Sequence, residues 1–231
     1  MLSGDWSSDV CSSDLAADVA GITELRMLGA TSLRGLECLD GLVSLMLSES
    51  NVPTFEPVLG SDLEGLSIRR SEASLDEIGR LTSLTRLQLE GPTVSDIGFV
   101  TSLMRLKWLT VFRTSVTDIT PVATLQRLQE FNATDSPIAD LTPLSGLPEL
   151  FWIYADNTNV TSLASLERPP PPVPETFCAE IRVVDAPLDP TTMEETIPHL
   201  CDLGWYVLWA GTAGRSDALW CGPNCYSEPR Q

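Results

Sequence analysis

The sequence predicts an α/β solenoid in which a concave parallel β-sheet is joined to short helical turns on the convex side. Its first sign is a repeat of apolar residues, whose successive strand anchors lie 21, 21, 22, 22 and 22 residues apart. These anchors are Leu45, Leu66, Leu87, Leu109, Phe131 and Ile153. Its second sign is that the segments between strands carry apolar residues at every third position. One such unit cannot bury its own apolar face, so neighbouring units must stack and share one core.

The first fifteen residues are predicted to lie outside this fold. Residues 4–15, GDWSSDVCSSDL, back-translate into a sequence that reads like a common short-read sequencing adapter. We therefore expect residues 1–15 to be a disordered artefact, fused to a chain whose true start is missing. Cys11 would then not be a native cysteine. The alternative is a natural leader rich in serine and aspartate.

The composition and net charge of the chain limit which kinds of molecule it is expected to bind. The chain has 231 residues, 43% of them hydrophobic, and a formal net charge of −18. No apolar run approaches the roughly 20 residues that span a bilayer. Such acidity repels nucleic acid and anionic membranes, so we expect a basic or neutral protein partner. The alternative is that the charge only keeps an elongated surface soluble.

Each unit begins with a short strand of the form LxxLxL. Alternation along the strand places Leu87 and Leu89 on one face and Arg86, Gln88 and Glu90 on the other. The apolar face is predicted to be core, which leaves the polar face open.

The corner after each strand carries a hydroxyl residue at most repeats, three positions past the last inward strand residue. The residues at this position are Ser50, Ser71, Pro92, Thr114, Ser136 and Thr158. A hydroxyl can bond the backbone of the turn, whereas proline donates nothing. We therefore expect a ladder of hydroxyls that is looser around Pro92.

The returning segments are predicted to be single short helical turns. Two of them contain a Thr-Pro pair, Thr120-Pro121 and Thr142-Pro143, which is typical of an N-cap followed by proline at the first helical position.

The form LxxLxLxxTxVTDITPVATLxxL, which covers about Leu25 to Leu166, resembles a known repeat. It is similar to the 22-residue class of leucine-rich repeat in bacterial internalins and in the leucine-rich regulator of protein phosphatase 1. This resemblance implies that residues 16–167 bind a protein through the concave sheet and catalyse nothing. The chain departs from the family pattern in lacking an asparagine ladder and in its irregular early returns.

Large aromatic side chains occupy outward strand positions that are otherwise polar. We predict that they form the ligand-binding part of the concave face, because exposed aromatics anchor protein interfaces. The predicted site comprises Trp108, Phe112, Trp152 and Tyr154, flanked by Arg86, Glu130 and Asp156. Two alternatives remain: the C-terminal segment covers these residues, or the strand register slips by one and they are core.

The repeat is interrupted by a proline-rich stretch, assigned to residues 168–176, which is predicted to be a stiff spacer or an insertion. Residues 177–210 are predicted to form atypical terminal repeats or a cap, with strands over 179–184 and 205–210. Between them a helix is expected, capped by Asp189 with Pro190 at its first position, and kinked or shortened by Pro198. The tail, residues 211–231, is predicted to be irregular.

The C-terminal cysteines leave three interpretations open. These residues are Cys178, Cys201, Cys221 and Cys225. Four thiolates could hold zinc, although their spacing does not form two close pairs. Disulfides, for instance Cys221 with Cys225 and Cys178 with Cys201, suit an exported protein. Free buried thiols suit a cytosolic one.

No pattern in the sequence indicates catalysis. The single histidine, His199, lies on the predicted terminal helix, and no phosphate loop, dinucleotide fingerprint or HExxH motif is present. We therefore predict a non-enzymatic, protein-binding module that uses no metal or cofactor and acts as a monomer. The alternatives are the recognition part of a larger enzyme or cell-surface protein, and a module whose aromatics serve self-association.

Overall fold

The computed structural model describes residues 21–173, 177–210 and 218–221. Its main feature is a ten-stranded sheet in which the first nine strands are parallel to one another and the last is antiparallel to the ninth. The strands, in order across the sheet, are β1 (Glu24–Leu28), β2 (Ser44–Ser48), β4 (Gly65–Arg69), β6 (Arg86–Glu90), β7 (Trp108–Phe112), β8 (Glu130–Asn132), β9 (Trp152–Tyr154), β10 (Glu180–Val183), β11 (Tyr206–Ala210) and β12 (Ala218–Cys221). A second, two-stranded sheet pairs β3 (Asn51–Val52) with β5 (Glu72–Ala73). The predicted α/β solenoid is confirmed.

Short helical turns return the chain between strands, because each segment is only long enough to cross back over the core. Most are 3-10 turns, at Leu36–Cys38, Glu56–Val58, Gly98–Ser102, Thr120–Thr124, Thr142–Leu144 and Ala164–Leu166. One is a single α-helical turn, α1 (Leu75–Ile78). The predicted short turns are therefore confirmed.

The capping residue of two turns differs from the prediction. Neither Thr120 nor Thr142 caps its turn with its side chain. The caps are aspartates two residues upstream: Asp118 Oδ1 accepts a hydrogen bond of 2.8 Å from the amide of Thr120. In the same way, Asp140 Oδ1 accepts a hydrogen bond of 2.8 Å from the amide of Thr142. These bonds, from the threonine hydroxyl as well as its amide, lower the pKa of both carboxyls. An aspartate two residues upstream reaches the first free amide more directly than a threonine that is already within the turn.

The core is one continuous apolar stack beneath the sheet. The inward residue of each central strand is fully buried, from Leu45 through Phe131 to Val207, and the apolar residues of the turns close the stack from the other side. Burial of apolar side chains against neighbouring repeats is the main stabilising term of such a stack.

A ladder of hydroxyls supports the corners, as predicted. Ser71 Oγ accepts a bond from the amide of Ser50 at 3.0 Å, and Ser136 Oγ accepts one from the amide of Thr114 at 3.0 Å. Pro92 has no such group, and the ladder is interrupted there. The residue before each hydroxyl adopts a left-handed backbone: Glu49, Arg70, Arg113, Asp135 and Asn157, with Gly29, Gly91 and Asp185 at the equivalent corners of other repeats.

The C-terminal part continues the sheet. Strands β10 and β11 lie within the segments predicted to be strands, and between them a π-helical turn, Thr192–Thr196, leads into α2 (Ile197–Asp202). Asp189 Oδ1 accepts a bond of 2.7 Å from the amide of Thr192, as expected of a cap. The wide turn ends two residues before Pro198, which lacks the amide needed for a regular α-helical bond.

Two expectations for the C-terminal part are wrong. The tail is not irregular throughout, because its four described residues form β12, which pairs antiparallel with β11. The suggested disulfides, Cys221 with Cys225 and Cys178 with Cys201, are also wrong. A disulfide instead joins Cys201 to Cys221, whose Cα atoms lie 5.9 Å apart. Cys38 and Cys178 are disulfide-bonded as well, so the described cysteines are neither free thiols nor zinc ligands. The predicted artefact, residues 1–15, lies outside the described residues, as does Cys225.

Candidate functional site

The concave face carries its side chains in rows, because the strands are parallel and in register. One row places Arg86, Trp108, Glu130 and Trp152 on four adjacent strands, each directly paired with the next. Neighbouring strands in a sheet lie about 4.8 Å apart, so these side chains are immediate neighbours. The two tryptophans and Glu130 are half-buried, whereas Leu109 beneath them is fully buried. The predicted register is confirmed, and the alternative of a one-residue slip is wrong.

The other two predicted aromatics lie in neighbouring rows. Tyr154 is paired with Asn132 and with Arg182, whose guanidinium carbon lies 5.6 Å from the centroid of the tyrosine ring. Phe112 lies farther along its strand, with the guanidinium carbon of Arg113 at 4.6 Å from its ring centroid. Both rings already contact a cation of the chain, so they are less available than Trp108.

The segment after the proline stretch covers part of Trp152. The indole Nε1 donates a hydrogen bond of 3.0 Å to the carbonyl oxygen of Cys178. The ring of Phe177 packs against it edge to face, with centroids 5.6 Å apart, and that of Phe151 lies at 4.8 Å. The alternative that the C-terminal segment covers the aromatic residues is therefore correct for one edge of the Trp152 ring.

Asp156 has a structural role at the end of β9. One carboxylate oxygen accepts a bond of 2.8 Å from the amide of Val184, and the other lies 2.8 Å from a guanidinium nitrogen of Arg182. This carboxylate fixes Arg182 beside Tyr154. The residues predicted from the sequence do not include Arg182, although the same alternation applied to the strand predicted at 179–184 places it on the concave face.

Glu130 differs from Asp156 in having no partner among the described residues. No hydrogen bond or ion pair reaches its carboxylate, and burial raises its pKa above the usual value. Burial without a partner disfavours the charged form of a carboxyl group.

Arg86 does not reach Glu130, because its side chain lies over Gly65. A Cβ atom at that glycine would lie 3.3 Å from a terminal nitrogen of the guanidinium and 3.2 Å from Ser44 Oγ. A groove of about 350 Å³ runs along this part of the concave face. The groove is lined in part by Ser44, Met46, Ser67, Gln88, Trp108 and Glu130.

Comparison with solved structures places this architecture among known folds. Internalin C2 of Listeria monocytogenes superimposes with a TM-score of 0.70 at 23% identity, over 84% of each chain. A second Listeria internalin, InlF, gives 0.62 at 20% identity over 83% of this chain and 62% of its own. A leucine-rich repeat protein of Leptospira interrogans gives 0.57 at 18% identity, over 76% and 51% of the two chains. The chain has the leucine-rich repeat fold.

This leucine-rich repeat chain matches no protein-family model, and no curated protein matches it. Within residues 21–173, 177–210 and 218–221, no three His, Cys, Asp or Glu side chains cluster in a way that could hold a metal ion. The helices of the same part are too short and too polar to cross a bilayer.

Proposed function

We propose that this leucine-rich repeat chain is a non-catalytic module that binds a protein partner through its concave face. The observation that carries the proposal is the row of Trp108, Glu130 and Trp152, in which large half-buried side chains lie side by side on a rigid sheet. Aromatic side chains of this kind dominate the energetics of protein interfaces. The sheet holds them in place before binding, which lowers the entropic cost of association.

The test is to immobilise the purified chain and compare the proteins it retains with those retained by Trp108→Ala combined with Trp152→Ala. Because each hot-spot residue contributes about 2 kcal/mol or more, the double variant is expected to lose roughly tenfold or more of the partner. Met104→Ala is the matched control, since Met104 is an apolar side chain exposed outside the concave face. Equal recovery by the wild type and the double variant would exclude the concave face as the binding surface.

The internalin-like subtype, the 22-residue class of the repeat and a monomeric state are part of the same proposal. The strand anchors of the later repeats are 22 residues apart, and the described cysteines are all disulfide-bonded, which suits an exported protein. Maleimide labelling before and after reduction tests the disulfides on protein from its natural source. Light scattering tests the monomeric state by measuring the mass of the protein in solution. A stable dimer that Trp108→Ala dissociates would favour self-association instead.

A further inference from the structure

The row at the centre of the concave face alternates aromatic and acidic side chains. Across five adjacent strands the order is Trp108, Glu130, Trp152, Glu180 and Tyr206. From this order we propose, on the basis of the function above, that the partner presents a basic segment. An arginine side chain of that segment is seated over Glu130, between the indole rings of Trp108 and Trp152.

The spacing of the strands suits this occupant. Each tryptophan is one strand away from Glu130, or roughly 5 Å, and a cation is attracted to an aromatic face within about 6 Å of its centroid. A guanidinium over Glu130 can therefore bond the carboxylate and contact an indole on each side. Arginine fits this setting better than lysine, since its planar group stacks on rings and bonds carboxylates through two donors.

The arginines on the strands around Glu130, on β4, β6 and β10, lie against other groups of the chain. Arg86 lies over Gly65, and Arg182 is paired with Asp156. Arg69 lies 2.7 Å from a carboxylate oxygen of Glu90. The one carboxylate of the row that sits between two tryptophans is thus left for a cation from outside the chain.

The charge of the chain favours the same occupant. The net charge of −18 attracts a basic segment and raises its rate of association. At the row itself, burial and the charge of Glu180 both raise the pKa of Tyr206, as expected for a region of negative potential. An acidic or purely apolar segment would leave Glu130 buried without a partner, at a cost in free energy.

The test uses a fluorescein-labelled tetra-arginine peptide as the probe and measures its binding by fluorescence anisotropy at about 0.05 M salt. Glu130→Gln removes the proposed charge partner. Glu56→Gln removes the same charge from an exposed residue in a turn on the opposite side of the solenoid. A charged hydrogen bond corresponds to roughly tenfold or more in affinity, so the dissociation constant is expected to rise roughly tenfold in Glu130→Gln and less than twofold in Glu56→Gln.

Equal weakening in the two variants would mean that general acidity attracts the peptide, and it would overturn the proposal. Unchanged binding by Glu130→Gln would also overturn it. Thermal melts of both variants establish that they are folded, and Trp108→Phe, which keeps an aromatic face, is expected to retain part of the affinity.

The partner recovery described above separates this proposal from the proposed function. If the tryptophan double variant loses the partner and Glu130→Gln keeps it, the concave face binds a protein but not through a cation at this carboxylate. If the double variant keeps the partner, the proposed function itself is wrong, whatever the peptide shows.

Discussion

At the scale of single residues, folding moves the carboxylate of Glu130 partly out of water without giving it a partner among the described residues. The same feature that we assign to binding therefore has a cost in stability. Functional sites often carry groups of this kind, because a partner that would satisfy them inside the chain would also block the ligand.

Glu130→Gln is expected to stabilise the protein at pH 7. Burial raises the pKa of Glu130 in the folded state, so the ionised group destabilises the fold above that pKa, and the penalty disappears once pH falls below the unfolded value. The difference in melting temperature between variant and wild type should be positive at pH 7 and shrink toward zero near pH 4 or below. Because solvent screens a half-buried group, we expect a gain on the order of only 0.5 kcal/mol at neutral pH. A difference that does not change with pH would contradict this account.

Ser136 is a residue whose hydroxyl satisfies two buried backbone groups. It accepts a bond from the amide of Thr114 and donates one of 2.7 Å to the carbonyl of Val111. Ser136→Ala leaves the buried amide of Thr114 without this acceptor and the carbonyl of Val111 with only a bond of 3.4 Å from Thr114 Oγ1. We therefore expect a loss of about 1–3 kcal/mol in the free energy of unfolding, measured with denaturant. Ser102→Ala, at an exposed position, should change it by less than about 0.5 kcal/mol.

At the scale of elements, the C-terminal end of the sheet is held by a disulfide between α2 and β12. Cys201 and Cys221 are 20 residues apart. Strand β12 lies at the end of the sheet order, so among the described strands it pairs with β11 alone. An edge strand with one neighbour depends more on such a link than the central strands do.

Cys201→Ser combined with Cys221→Ser is expected to destabilise this end of the solenoid by about 3 kcal/mol, the loop-closure value for a link of this length. Hydrogen exchange should quicken in α2, β11 and β12, whereas β6 and β7 should stay protected, because repeats contact only their neighbours. Equal loss of protection along the whole sheet would show that the chain unfolds as one unit.

At the scale of the whole molecule, charge and architecture act in opposite directions. The acidic side chains that give the chain its net charge of −18 repel one another and so destabilise the fold, while the stacked apolar core holds the repeats together.

Added salt is therefore expected to stabilise the chain. Raising NaCl from about 0.01 to 0.5 M shortens the screening length from about 30 Å to only a few ångströms, so repulsion between like charges is reduced more than burial is changed. The melting temperature should rise with NaCl, and tetra-arginine binding should weaken over the same range. A melting temperature that falls with salt would mean that ion pairs, such as those of Glu90 with Arg69 and Arg70, outweigh the repulsion.

Much of the fold could be predicted because the repeat imposes the same physical requirement several times. Alternation in strands such as β7 decides which side chains face the core, and a slip of one residue would expose Leu109 and Val111 to water. The outward placement of Trp108 and Trp152 follows from the same alternation, as does the short length of each return. The ladder of hydroxyls was predictable because corner positions also repeat.

Other features depend on contacts that have no period. The partner of Cys201, the strand β12 and the cover of Trp152 by Phe177 each join segments that lie close only after the chain has folded. The position of Arg86 over Gly65 depends on which of several rotamers has room.

The sequence by itself thus determined the solenoid, its concave sheet and the residues that face outward, since burial of a repeated apolar pattern admits one periodic solution. Only the tertiary structure decided which of those residues are already paired, and that Glu130 has no partner among the residues that the structure describes. Pairing depends on distances of a few ångströms between side chains from different repeats, and no spacing along the chain specifies them.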